Sequence, residues 1–202
     1  GLALYKGRIN NKSIIYITSG IGKTNASRGT TILIERFSPG IIVNFGIGGA
    51  YPASGLGMGD IAIAEKEIYG DEGILPRIPL LTKGRKKYFN EFPLDKRLIK
   101  KAVDVARTTG FPSRTAIKSG PFLTLSECTE TLKRANELEK RFHALCETME
   151  GAAVVHVCAL YRVPVVEIRG ISNTGEDRNK ERWNIKLATR NCQRVVMEFL
   201  KS

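Results

Sequence analysis

The chain has 202 residues, 42% of them hydrophobic, with a formal net charge of +12, enough for one compact domain with a substantial core and no Pro/Ser-rich linker to divide it. No stretch reaches the roughly 18 consecutive apolar residues of a membrane span, and no charged-then-apolar leader opens the sequence, so a soluble cytoplasmic protein is expected and a membrane partner is not. Lys and Arg are spread along the chain rather than gathered with aromatics, the densest run being the short Lys83-Gly-Arg-Lys-Lys87, which reads as a solvated basic surface that attracts an acidic metabolite rather than nucleic acid.

Leu2 to Tyr5 and Ser13 to Thr18 read as two strands around the turn signal Gly7-Arg-Ile-Asn-Asn11. Apolar residues at helical spacing run from Gly22 to Phe37, and Pro39-Gly40 stops that helix. A buried strand, Ile41 to Phe45, is expected to enter a loop, Gly46-Ile-Gly-Gly-Ala-Tyr-Pro52, and Asp60 to Ile68 reads as the next strand. Residues 70 to 94, rich in Gly and Pro, read as irregular. A helix near Asp95 to Thr108, a strand near Arg114 to Lys118 and a helix near Glu127 to Arg141 follow. Then come a short strand at Leu145-Cys146, a helix opening at Gly151, a strand from Val163 to Ile171, and a closing helix from near Arg182 to Leu200. This alternation predicts a single α/β domain whose mixed, mostly parallel central sheet is flanked by helices on both faces. Cys128, Cys146, Cys158 and Cys192 are widely spaced without a C-x-x-C pair, which favours reduced thiols over disulfides or zinc.

Two segments carry the candidate chemistry. In Glu147-Thr-Met-Glu-Gly-Ala-Ala153, Met149 and Glu150 stand between a short strand and the small residues that open a helix, which places a carboxylate at a strand end. In Glu167-Ile-Arg-Gly-Ile-Ser-Asn173, Glu167 and Arg169 interrupt an apolar run, and period-2 geometry puts them on one face. Ligands of α/β sheets bind beyond the carboxyl ends of strands, so Glu150, Arg169 and Asn173 are expected to converge on one polar small molecule. Competing readings stay open: Glu150 as a carboxylate facing a helix dipole, Arg169 as an ion-pair partner of Glu167, and Asn173 as a strand-end cap. Gly46-Ile-Gly-Gly49 lacks the third glycine of a dinucleotide fingerprint, and Ser19-Gly-Ile-Gly-Lys-Thr24 has the wrong spacing for a P-loop. What adjacent glycines such as Gly48 and Gly49 do allow is close approach of a flat ring to bare backbone.

Taken in order, Ser19-Gly-Ile-Gly-Lys23, Val43-Asn-Phe-Gly-Ile-Gly-Gly49, Gly59-Asp-Ile61, Ser119-Gly-Pro-Phe-Leu123, Met149-Glu-Gly-Ala-Ala153 and Arg169-Gly-Ile-Ser-Asn173 resemble successive landmarks of the nucleoside phosphorylase and nucleosidase superfamily. The likeness is strongest to the methylthioadenosine/S-adenosylhomocysteine nucleosidases and, more closely, to the futalosine hydrolases. It runs nearly end to end. It implies one nucleoside phosphorylase-like domain over residues 1–202, a purine nucleoside as small-molecule partner, no metal or organic cofactor, and a homo-oligomer. In such a domain Met149 packs on the sugar and Glu150 accepts hydrogen bonds from its hydroxyls. A carboxylate there favours the positive charge that builds on the sugar as the N-glycosidic bond breaks. Arg169 resembles a family arginine near the sugar and the attacking water. Phe122 matches a residue stacked on the purine, with backbone at Leu123 along its edge. The stretch from Asn173 to Trp183 resembles the futalosine hydrolase version, in which an Asn is followed by an Arg, here Arg178, and a Trp. For Phe122 and Trp183 ordinary core packing is the competing reading. Lys23, Arg178 or another cation would meet a carboxylate beyond the ribose.

Asn173 bears on the base. Adenine-specific relatives carry Asp there, whereas an amide donates to a 6-oxo group while its carbonyl accepts from a protonated N7, which suits hypoxanthine or guanine. Phosphorylases place a hydroxyl residue at the position of Ile47, and an aliphatic side chain cannot bind phosphate. The implied reaction is hydrolysis of futalosine to hypoxanthine and dehypoxanthinyl futalosine, a step of menaquinone biosynthesis. Another purine nucleosidase or phosphorylase, with a methylthioadenosine-like or inosine-like substrate, is the first alternative; a non-catalytic nucleoside- or nucleic-acid-binding protein is the second. Relatives begin with a strand ahead of the first hairpin that carries the water-positioning acid. This chain starts at Gly1 within that hairpin, so the resemblance implies an N-terminally incomplete domain, and neither His143 nor His156 replaces the acid.

Overall fold

The computed structural model describes residues 2–72, 90–174 and 182–202. Strands β1 (Ala3–Ile9) and β2 (Lys12–Thr18) form an antiparallel hairpin. They run beyond the predicted strand ends because Asn10 takes a left-handed conformation, φ 52°, and a two-residue turn is enough. Helix α1 (Lys23–Phe37) follows Gly22 and ends at Ser38, just ahead of Pro39-Gly40.

The main sheet holds β3 (Ile42–Ala50), β4 (Ile61–Tyr69), β5 (Glu91–Pro93), β6 (Ile117–Thr124), β7 (Cys146–Thr148) and β8 (Val165–Thr174) in the order β5-β4-β6-β7-β3-β8. The long ladders, β3 with β8 and β4 with β6, are parallel, as is β6 with β7. Short antiparallel stretches join β3 to β7, β4 to β5 and β4 to β8. The last of these, Ile61–Ile63 against Ile168–Gly170, curls the sheet until its two sides meet. Helices α1 and α4 (Gly151–Tyr161) cover one face; α2 (Lys96–Thr108) and α5 (Ile185–Lys201) cover the other. Helix α3 (Leu132–Phe142) packs near a single 3-10 turn, Pro52–Ser54. Strand alternation divides the core accordingly: Ala62 and Ala64 of β4 join the α1/α4 side, Ile61 and Ile63 the α2/α5 side. The architecture is the expected mixed α/β sheet between helices.

Several boundaries differ from expectation, each for a local reason. The Gly-rich segment read as a loop is strand as far as Ala50, because its glycines lie against β8 and β7. Strand β6 begins at Ile117 and continues through Pro121, which stands where β4 carries an extra residue, Glu65, and the ladder shifts register. Helix α3 starts at Leu132 because the Thr131 hydroxyl caps it, accepting from the Arg134 amide at 3.2 Å. In the same way Asn184 caps α5 through the Leu187 amide at 3.1 Å. Strand β5 lies within the stretch read as irregular. Among the described residues no helix is long and apolar enough to cross a membrane.

Candidate active site

Strand β8 is buried along almost its full length, so the two charges inside it must find partners. Arg169 does so three times. Its Nε donates to Glu167 Oε1 at 2.8 Å, its Nη1 donates to the Ile47 carbonyl at 3.3 Å, and the same Nη1 lies 3.7 Å from Glu150 Oε2. Burial disfavours the charged guanidinium, but the Glu167 and Glu150 carboxylates outweigh burial and raise its pKa above the ordinary arginine value. The ion pair with Glu167 and the approach to Glu150 are therefore both real, and one guanidinium serves both.

Glycines on β3 make the room. A Cβ at Gly46 would stand 2.7 Å from Arg169 Nη1, and one at Gly48 would stand 2.9 Å from Cys146 Sγ. At Gly49 it would meet Asn173 Nδ2 at 3.2 Å. Side chains of the neighbouring strands already stand close to this bare backbone. In the β3/β8 ladder Gly46 pairs with Arg169 and Gly49 with Asn173, while Ser172 is an extra residue between them.

Glu150 precedes α4 but caps nothing with its side chain. The first amides of the helix go elsewhere: Gly151 N–H donates to Thr148 Oγ1 at 3.1 Å and Ala152 N–H to Thr124 Oγ1 at 2.6 Å. The Glu150 carboxylate is left for other partners. Its Oε1 accepts from the Gly22 amide at 2.9 Å, across the turn in which Gly20 and Gly22 have φ of +94° and +93°, and the side chain stays 19% exposed. A partly exposed carboxylate braced by an amide and a guanidinium is the centre of the candidate site.

Asn173 lies near the carboxyl end of β8, 6% exposed. Its Oδ1 accepts from Ser172 Oγ at 2.7 Å and its Nδ2 donates to the Thr174 carbonyl at 3.1 Å. Among the described residues, one amide hydrogen and one oxygen lone pair have no further partner. Met149 is half-buried, with Cys128 Sγ at 4.0 Å from its sulfur. Ile47 is half-buried and turns its carbonyl to Arg169. Trp183, half-buried, directly precedes Asn184, whose amide donates to the Ser172 carbonyl at 2.8 Å, so the chain returns beside the end of β8.

Phe122 and Leu123 have no exposed surface. Strand β6 is flanked by β4 and β7, so the Phe122 ring is packed into the α1/α4 core and the Leu123 backbone is engaged in ladders on both sides. For Phe122 this burial is in keeping with core packing, its competing reading. Lys23 is held by Asp71 at 2.5 Å and Glu72 at 3.1 Å. Arg178 and the run from Lys83 to Lys87 lie outside the described residues.

The sequence reading missed Gly22 as a partner of Glu150, and it missed Glu67. Glu67 is fully buried, and burial together with the Glu167 carboxylate pushes its carboxyl well above the ordinary range. The signal was present as a charge inside the apolar run of β4, like Glu167 in β8. The register shift at Glu65 hid it, since an extra residue exchanges the faces of every position that follows.

The family model described as the phosphorylase superfamily matches residues 1–201. A 5'-methylthioadenosine/S-adenosylhomocysteine nucleosidase of Halalkalibacterium halodurans is 35% identical, over 97% of this chain and 84% of its own length. The futalosine hydrolase of Thermus thermophilus is 33% identical, over 95% of this chain and 83% of its own. Among solved structures, the 5'-methylthioadenosine/S-adenosylhomocysteine nucleosidase of Neisseria meningitidis in complex with methylthio-immucillin-A aligns with a TM-score of 0.87 at 25% identity, covering 99% of this chain and 86% of that one.

Proposed function

Because this chain belongs to the phosphorylase superfamily, we propose that it is a purine nucleosidase that hydrolyses the N-glycosidic bond of futalosine, releasing hypoxanthine and dehypoxanthinyl futalosine. The observation that carries the reading is the Glu150 carboxylate, released from its own helix, braced by the Gly22 amide and Arg169, and open on one side. Breaking the bond spreads positive charge over the sugar ring, and a fixed carboxylate beneath it stabilises that charge more than it stabilises the neutral substrate. Met149 supplies the apolar surface for the sugar, and Asn173 the amide for the base edge.

Water rather than phosphate is the proposed nucleophile. Arg169 is already matched by two carboxylates, Glu167 at 2.8 Å and Glu150 at 3.7 Å. A phosphate brought to this guanidinium would meet a net negative surrounding and the aliphatic Ile47, and both disfavour an anion. For the base, the Ser172 hydroxyl already donates to Asn173 Oδ1, which leaves the amide one hydrogen to give to a 6-oxo group and one lone pair for a protonated N7. The second reading, methylthioadenosine or S-adenosylhomocysteine as substrate, is favoured by the 35% identical relative that carries that name.

Incubation of the protein with futalosine, with and without phosphate, followed by chromatography of the products tests the reading. The expected result is hypoxanthine and a free sugar product at a rate independent of phosphate. A requirement for phosphate, with a sugar phosphate formed, would overturn hydrolysis; no purine released from any nucleoside would overturn the enzyme.

A further inference from the structure

Behind the candidate site lie two carboxyl groups that no substrate can touch. Glu67 of β4 and Glu167 of β8 are both 0% exposed. They converge over the start of α4: a Cβ on Gly151 would collide with Glu67 Oε1 and stand 2.7 Å from Glu167 Oε1. Burying two carboxyl groups together is costly unless each has a task and at most one is charged.

Their partners show the task. Glu167 Oε1 accepts from Arg169 Nε at 2.8 Å, which fixes the plane of the guanidinium whose other side faces Glu150. Glu67 Oε2 accepts from the Thr124 hydroxyl at 2.8 Å, and Thr124 Oγ1 in turn accepts from the Ala152 amide at 2.6 Å. Ala152 is in the first turn of α4, two residues after Glu150. One buried pair is therefore wired to both charges of the site, to the guanidinium through Glu167 and to the carboxylate's helix through Glu67 and Thr124. We propose that Glu67 and Glu167 form a positioning pair that sets the distance and orientation of Arg169 relative to Glu150. Neither is a catalytic residue; both act through the groups they hold.

Protonation completes the picture. Among the described residues, Glu67 Oε1 and Glu167 Oε2 are buried without a hydrogen-bond partner, a costly arrangement for two ionised groups and a less costly one if the pair shares a proton. Burial, and then the neighbouring Glu167 carboxylate, raise the Glu67 carboxyl well above the ordinary carboxylate range. Glu67→Gln should then mimic the native state, because an amide donates where the carboxylic acid donated and still accepts from Thr124.

The inference rests on the nucleosidase reading, and the experiment separates the two. Wild type, Glu67→Ala, Glu67→Gln, Glu167→Gln and the near-isosteric Thr124→Val are compared for kcat and KM of purine release and for amide hydrogen exchange in the peptide from Met149 to His156. The expected result is a kcat lowered by about tenfold or more in Glu67→Ala, Glu167→Gln and Thr124→Val, with KM moved far less, since displacing two charged groups by a fraction of an ångström acts on the transition state. Glu67→Gln should restore most of what Glu67→Ala loses. Exchange at the start of α4 should rise in Glu67→Ala and Thr124→Val and return towards wild type in Glu67→Gln. Folded variants with unchanged kcat would overturn the proposal, and so would a loss in Glu67→Gln as deep as that in Glu67→Ala. If wild type itself released no purine, the nucleosidase reading would fall. The pair would then be judged by exchange alone, and protection in Thr124→Val equal to wild type would overturn it too.

Discussion

Under the proposed function, Glu150 and Asn173 are the two positions at which single atoms decide the chemistry. Replacing Glu150 by Gln keeps an oxygen for the Gly22 amide and removes only the charge. The expected outcome is a fall in kcat of about 100-fold or more, with the unfolding midpoint little changed; single-turnover kinetics and a melt on the same sample check it. At Asn173, Asp offers no amide hydrogen to a 6-oxo group, so Asn173→Asp should shift the ratio of kcat/KM for futalosine against methylthioadenosine by at least about tenfold towards the amino base. An unchanged ratio would remove Asn173 from base recognition. Arg169 was legible in the sequence as a charge inside an apolar run, and Glu150 as a carboxylate at a strand end. Their hydrogen bonds were not, since Gly22 lies 128 positions from Glu150 and no spacing rule links a glycine amide to a distant carboxylate.

Elements carry these groups through close approaches that only glycine permits. Gly151 opens α4 directly against Glu67 and Glu167, with no space for a methyl group. Gly151→Ala should cost about 1–3 kcal/mol through overpacking, read by denaturant unfolding, and should depress activity because the start of α4 must shift. A variant of full stability and activity would show that the two carboxyl groups yield freely. Helix α2 was readable almost to the residue, since Asp95 supplies the cap, accepting from the Arg97 amide at 2.7 Å, and apolar positions recur on one side. The Gly-rich end of β3 and the Pro-containing β6 were not readable, because their strand character is imposed by neighbours in the sheet. Local propensity argues against a strand at Gly46 to Gly49 and at Gly120-Pro121, and tertiary pairing overrides it.

For the molecule as a whole, the buried acid pair ties stability to pH. In the unfolded chain the Glu67 carboxyl loses its proton from about pH 4.5 upward, while in the folded state burial and the Glu167 carboxylate hold it well above that value. The folded state therefore binds more protons across this window, and stability falls as pH rises, by up to about 1.4 kcal/mol per pH unit for one proton. Glu147, also raised mainly by burial, adds to the slope in the same direction. Glu67→Gln removes the first contribution, so between pH 5 and 8 its unfolding free energy should decline less steeply than that of wild type; parallel profiles would contradict a protonated Glu67. The fold class was legible from the alternation of strands and helices, whereas the closure of the sheet by β4 and β8 was not, since three residue pairs between strands a hundred positions apart leave no trace in periodicity. The central claim, a hydrolytic site selective for a 6-oxopurine nucleoside, is tested most directly by measuring kcat/KM for futalosine, inosine and methylthioadenosine side by side in phosphate-free buffer. The highest value is expected for futalosine, with hypoxanthine released; preferential release of adenine from methylthioadenosine would contradict that claim.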